Sequence, residues 1–136
     1  MSMESCRALI VAKLVSAVQR FFAEARDWPR GDQLYVAEHA AWQLAREMAR
    51  VLLEAWVGGH HGGHRGPRVV DEAGVERPFK QYLTKSVETL LGPIEVCCAQ
   101  YYDKAAEPKS VFPLREELGL GDGGYSRGLE EVVALG

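Results

Sequence analysis

Apolar residues recur at three- and four-residue intervals between Ser5 and Arg26: Val11, Leu14, Val18, Phe21 and Ala25 form one stripe, which Ile10, Val15 and Phe22 widen. That spacing predicts a long amphipathic helix. It stops at Asp27-Trp28-Pro29-Arg30-Gly31-Asp32, where Pro29 drives Trp28 out of the helical region, Gly31 supplies a joint and Asp32 is placed to cap a second helix. A second stripe, Leu34, Ala37, Ala41, Leu44, Met48, Val51 and Ala55, flanked by Tyr35, Trp42, Leu52 and Trp56, predicts that helix to about Val57. The tight turn favours an antiparallel helical hairpin whose stripes face one another. A seam this long, narrowed at Ala37 and Ala41, equally suits pairing between two chains. Leu34, Ala37, Ala41, Leu44, Met48 and Val51 are therefore the candidates for self-association.

Beyond residue 57 the periodicity changes. The glycine- and histidine-rich stretch 58–67 predicts a solvated linker between the hairpin, 1–57, and a second module over 68–118. Arg68-Val69-Val70 and Val75-Glu76-Arg77 flank Asp71-Glu72-Ala73-Gly74, a short hairpin with glycine at its turn. Phe79 to Leu91 is rich in Thr, Val, Tyr and Leu and reads as a strand turning at Gly92-Pro93. Ile94, Val96, Cys98, Gln100 and Tyr102 then alternate with Glu95, Cys97, Ala99 and Tyr101 as its partner strand. Ala105 to Ser110 reads as a loop, and Val111-Phe112-Pro113-Leu114 anchors a helical turn through Leu118. Residues 119–136 are a glycine linker and a short last helix, which Ser126 caps. The fold class is α+β: an N-terminal antiparallel helical hairpin, a small antiparallel β-meander and a short C-terminal helix.

Composition sharpens this picture without redirecting it. With 136 residues, 47% hydrophobic and 26% charged, the chain has the make-up of a globular domain, and no apolar run approaches the length of a membrane span. Glu4 precedes the first apolar stretch and no small-residue cleavage site comes after it, which predicts a cytoplasmic protein. Cys6, Cys97 and Cys98 are an odd set, and the adjacent pair diverges on a strand, so reduced thiols are expected. Sixteen basic against nineteen acidic residues give a net charge of −3, so contact with nucleic acid has to come from a local patch. Arg65, Arg68, Arg77, Lys80 and Lys85 supply one, interleaved with Asp71, Glu72 and Glu76.

No catalytic constellation emerges. His60, His61 and His64 are the densest group of metal ligands, but four glycines leave them without fixed geometry and a closed zinc site needs a fourth ligand. His39 beside Glu38 has no nucleophile that the sequence places near it and reads as structural. Gly119-Leu120-Gly121-Asp122-Gly123-Gly124 fits neither a P-loop nor a dinucleotide fingerprint. Neither a metal nor a cofactor is predicted.

One ordered set of segments goes further. Arg68-Val-Val-Asp-Glu-Ala-Gly-Val-Glu-Arg-Pro-Phe, then Thr84-Lys-Ser-Val-Glu-Thr-Leu-Leu-Gly-Pro-Ile-Glu-Val, Tyr101-Tyr102, Val111-Phe112-Pro113-Leu114 and Leu118-Gly119-Leu120 resemble the N-terminal region of bacterial insertion-sequence transposases of the ISKra group. The resemblance implies a DNA-transposition protein whose catalytic acidic triad lies in a ribonuclease-H-like domain downstream. This chain would then be a non-catalytic fragment that contacts transposon ends or pairs subunits. The family places two arginines where Cys97 and Cys98 stand, a Cys-X-X-Cys pair where Asp103 and Ala106 stand, and an acidic residue where Arg115 stands, which implies a decayed or truncated copy. The competing expectation is a free-standing helical homodimerisation module that does not bind DNA.

Overall fold

The computed structural model describes residues 3–121 and 123–135, and the chain divides into two compact units, Met1–Ala55 and Trp56–Gly136. The Cys6 thiol and Asp122 of the second glycine linker lie outside the described residues.

The first unit is helical. α1 (Met3–Ala25) and α2 (Gln33–Gly58, whose last turn enters the second unit) coincide with the two apolar stripes. Between them Gly31 takes φ +98°, Asp32 stands just before the helix, and its carbonyl accepts the Val36 N–H at 3.0 Å. Phe21 meets Trp28 edge-on at 5.3 Å, fixing the exit from α1. The helices run antiparallel: Leu9 and Leu14 border the same groove as Val51 and Met48, whereas Phe21 and Glu24 border another with Ala40 and Gln43. The grooves measure about 480 and 160 Å³, and no described residue of this unit is fully buried. The hairpin is thus a shallow, incompletely filled seam.

The second unit holds the core. β1 (Arg68–Val70), β2 (Glu76–Thr89), β3 (Gly92–Tyr102) and β4 (Ser110–Val111) form an antiparallel sheet in the order β1-β2-β3-β4, with α3 (Pro113–Leu118) and α4 (Arg127–Leu135) after it. The α+β class and the meander are as the sequence predicts. β2 is one strand where two were expected: it runs through Pro78, which stands opposite Arg68 of β1, and its register against β3 slips between Phe79 and Gln81, a bulge. The β2–β3 turn falls at Leu90-Leu91, two residues earlier than Gly92-Pro93. Thr89 closes it by donating from Oγ1 to the Gly92 carbonyl at 2.7 Å while accepting the Leu91 N–H at 3.1 Å.

Alternation buries Ile94, Val96 and Cys98 and exposes Glu95 and Cys97, but Cys98 to Tyr101 are all buried, so here both faces of β3 are covered. The second cover comes from the stretch expected to be a solvated linker. A 3-10 turn at His61–Gly63 puts buried Gly62 against the Tyr82 ring and the Ala99 backbone, and buried Gly63 against Leu114 of α3. Glycine permits this because a bare backbone can approach where a Cβ would collide, and at positive φ. Tyr101 locks the arrangement: its hydroxyl accepts the Arg65 N–H and donates to the Gly66 carbonyl, both at 2.8 Å. Tyr101→Phe should cost about 1.5 kcal/mol, read as a lower urea midpoint, because it strands two partly buried backbone groups.

Ser126 caps α4 as predicted, its Oγ accepting the Leu129 N–H at 3.2 Å. The segment before it is tied down: Gly124 O accepts from Glu88 N–H at 2.9 Å, and Ser126 N–H donates to Glu88 O at 2.8 Å. Gly119 at φ +71° ends α3, with the Leu120 N–H reaching back to the Arg115 carbonyl at 2.8 Å.

Candidate functional site

The basic residues expected to meet DNA do not present a row of open cations. Arg77 is corrected outright. It is 1% exposed, donates from Nη1 to Asp71 Oδ2 at 2.8 Å and from Nη2 and Nε to the Pro108 carbonyl at 2.8 and 3.1 Å. It is an internal tie between the β1–β2 turn and the loop before β4. Arg65 pairs with Glu117, and Arg68 pairs with Glu76 across β1 and β2 at 2.7 Å. Lys80 lies 4.2 Å over the Tyr102 ring, and Lys85 is half-buried opposite Val96. The exposed ion pairs contribute little to stability, but each sets a carboxylate where a phosphate would have to come.

The self-association candidates divide. Leu44, Met48 and Val51 line the groove shared with α1, and Ala37 is half-buried, so these serve the hairpin. Leu34 and Ala41 are exposed. A larger open apolar surface lies beyond these candidates: Val11, Val15, Val18 and Phe22 on α1, with Tyr35 and Trp42 on α2, are all exposed. On α1 these residues keep a 4-3-4 spacing, distinct from Leu14, Ala17 and Phe21, which border the grooves to α2. Val11 and Val18 of the predicted stripe, with Val15 and Phe22 that widen it, thus form a second face.

The histidines act singly. His39 Nδ1 donates to the Tyr35 carbonyl at 3.0 Å, and His60 Nδ1 does the same to Trp56 O at 3.0 Å. His64 Nδ1 accepts the Gly66 N–H at 3.1 Å, and its ring meets Phe79 at 4.9 Å. Among the described residues no three His, Cys, Asp or Glu side chains are grouped to hold a metal. Around the position where the resemblance leads one to expect a cysteine pair, Asp103 organises a closed turn. Its Oδ1 accepts the Ala105 N–H at 2.9 Å and its carbonyl the Ala106 N–H at 3.1 Å.

Cys97 and Cys98 diverge as expected. Burial pushes the Cys98 thiol above its ordinary pKa, and hydrogen bonding to Arg115 partly offsets the rise. The Arg115 guanidinium stacks 3.7 Å over Phe112. Asp71 is held below the ordinary carboxylate pKa, first by the hydrogen bond from Arg77 and next by the Val75 N–H. Among the described residues no helix is long and apolar enough to cross a membrane.

No family model matches the chain, and no solved structure matches it. A stretch of 84 residues is 30% identical to phosphoenolpyruvate carboxylase of Aeromonas hydrophila subsp. hydrophila, covering 57% of this chain and 9% of that protein. The chain spans less than a tenth of that relative's length, and so small a share does not place it in the carboxylase family.

Proposed function

We propose that this chain is a non-catalytic, cytoplasmic module of the transposase kind that its sequence resembles, and that its working surface is the helical unit, which pairs one copy with another. The observation that carries this reading is the exposed stripe Val11, Val15, Val18 and Phe22, spaced as the seam of a helical pair. Leu34 and Trp42 add further uncovered apolar surface in the same unit. Such residues lower their free energy by leaving water, at roughly 25 cal/mol per Å² removed. The transposase part of the reading draws support from the resembling segments, which are neighbours within one folded unit: Glu88 to Val96 as the β2–β3 hairpin, and Val111 to Leu118 as β4 and α3. Contact with transposon ends has weaker support, since Arg77 is buried and Arg65 and Arg68 face carboxylates.

Sedimentation equilibrium of the full chain tests the pairing. A dimer is expected at about 10 μM, and Val15→Asp with Phe22→Asp should weaken it about a hundredfold by burying charge in the seam. Circular dichroism should be unchanged, because both side chains are exposed. A wild type that stays monomeric at about 100 μM, yet binds duplex DNA at about 150 mM salt, would sink the reading and restore the DNA role.

A further inference from the structure

The β1–β2 hairpin, the loop before β4 and α3 border an open groove of about 790 Å³ in the second unit. Its apolar lining is Val69, Val70, Ala73, Pro108, Val111 and Pro113, and Val70 is 62% exposed. Six charged residues complete it. Asp71 is neutralised by Arg77 and Glu117 by Arg65, which leaves Glu72 and Glu116 with no cationic partner among the described residues and gives the groove an excess of two negative charges. That excess repels phosphate and attracts a cation.

The groove also takes in a strand edge. Val69 and Val70 are consecutive in β1, so their side chains leave on opposite faces, yet both border the groove, which therefore wraps the edge between them. β1 pairs only with β2 among the described strands. Pro67 O and Asp71 N are bonded inward, to Phe79 N and Val75 O, so in the alternating ladder the amides and carbonyls of Arg68 and Val70 point outward. An edge of free backbone groups beside an apolar, carboxylate-rimmed groove matches one ligand chemistry: an extended chain alternating apolar and basic side chains.

We propose that this groove binds an extended basic peptide, which adds to β1 as a further strand and sets its cationic side chains against Glu72 and Glu116. The helical pairing is a separate matter, because no groove residue belongs to the first unit.

The test is titration of the full chain with a blocked hexapeptide of alternating valine and lysine, beside the same peptide carrying glutamate for lysine. The basic peptide should bind below about 1 mM and the acidic one should not. Glu72→Gln with Glu116→Gln should weaken binding about tenfold and flatten its salt dependence. Strand addition is read separately, as slowed amide hydrogen exchange at Val70 when peptide is present. Val70→Pro removes that outward donor at an edge position that tolerates proline, and should abolish the gain in protection. Should Val70→Pro unfold the chain, the glutamine variant still decides. No binding at about 1 mM, equal binding of the acidic peptide, or an unchanged affinity in the glutamine variant overturns the proposal.

Discussion

Gly63→Ala is expected to destabilise the second unit by about 3 kcal/mol, a fall in melting temperature of roughly 15 °C for a unit of this size. Two costs combine. Gly63 has φ +68°, where a side chain costs about 1–2 kcal/mol, and its added Cβ would stand 2.7 Å from Leu114 Cβ and 2.9 Å from Leu114 N. Leu114 is fully buried at the start of α3, so the backbone it rests on has nowhere to retreat, and overpacking there adds about 1–3 kcal/mol. Gly62→Ala meets a different neighbour, the Tyr82 ring at 2.8 Å, and Tyr82 is half-exposed and able to swing aside. Its cost should be smaller, about 2 kcal/mol and mostly backbone strain. Gly58→Ala is the control: nothing lies within 4 Å of its new Cβ, and the change should be neutral or slightly stabilising. Thermal melts monitored by near-ultraviolet dichroism rank the three. A Gly63→Ala protein that melts with the wild type would mean that the turn does not pack on α3.

These glycines mark where the sequence stops being informative. The strand Ile94 to Cys98 is readable because alternation of apolar and polar side chains reports two faces directly, and Ser126 is readable because a serine before an apolar helical stretch has a local use for its hydroxyl. Residues 58–67 carry no such signal. A glycine buried for its bare backbone has the same letter as one left in water, and only the partner, Leu114 some fifty residues on, separates the two. The candidate surface on α1 is half-legible for a related reason. Eight apolar residues over one helix exceed what a single hairpin face can cover, but which subset turns toward α2 depends on the crossing of the helices, which periodicity alone does not fix. The β2–β3 turn slips by two residues because Gly92-Pro93 is the stronger turn pair by residue type, while the Thr89 hydroxyl closes the loop.

Arg77 is the clearest case of a cation misread as surface, and replacing it should have the second large effect. In Arg77→Met the aliphatic stem is kept, but the Pro108 carbonyl loses both guanidinium donors and the β1–β2 turn loses its tie to the loop before β4; the expected cost is about 3 kcal/mol. Arg77→Lys should recover only part of it, since one ammonium cannot span Asp71 and Pro108 as the planar fork does. The ion pair also sets an acid limb. Asp71 has a lower pKa folded than unfolded, so its contribution is complete above the unfolded value and disappears as pH falls through the folded one, below about pH 4. Urea midpoints measured between about pH 2 and 7 should therefore show the wild type losing more stability on acidification than Asp71→Asn, with Asp71→Asn the weaker protein at neutral pH. Arg77→Met removes the largest cause of the Asp71 shift, leaving the Val75 N–H, so its acid limb should lie between those two. An Arg77→Met protein as stable as the wild type at neutral pH, with an identical acid limb, would mean that Arg77 points to solvent and belongs to the basic patch after all.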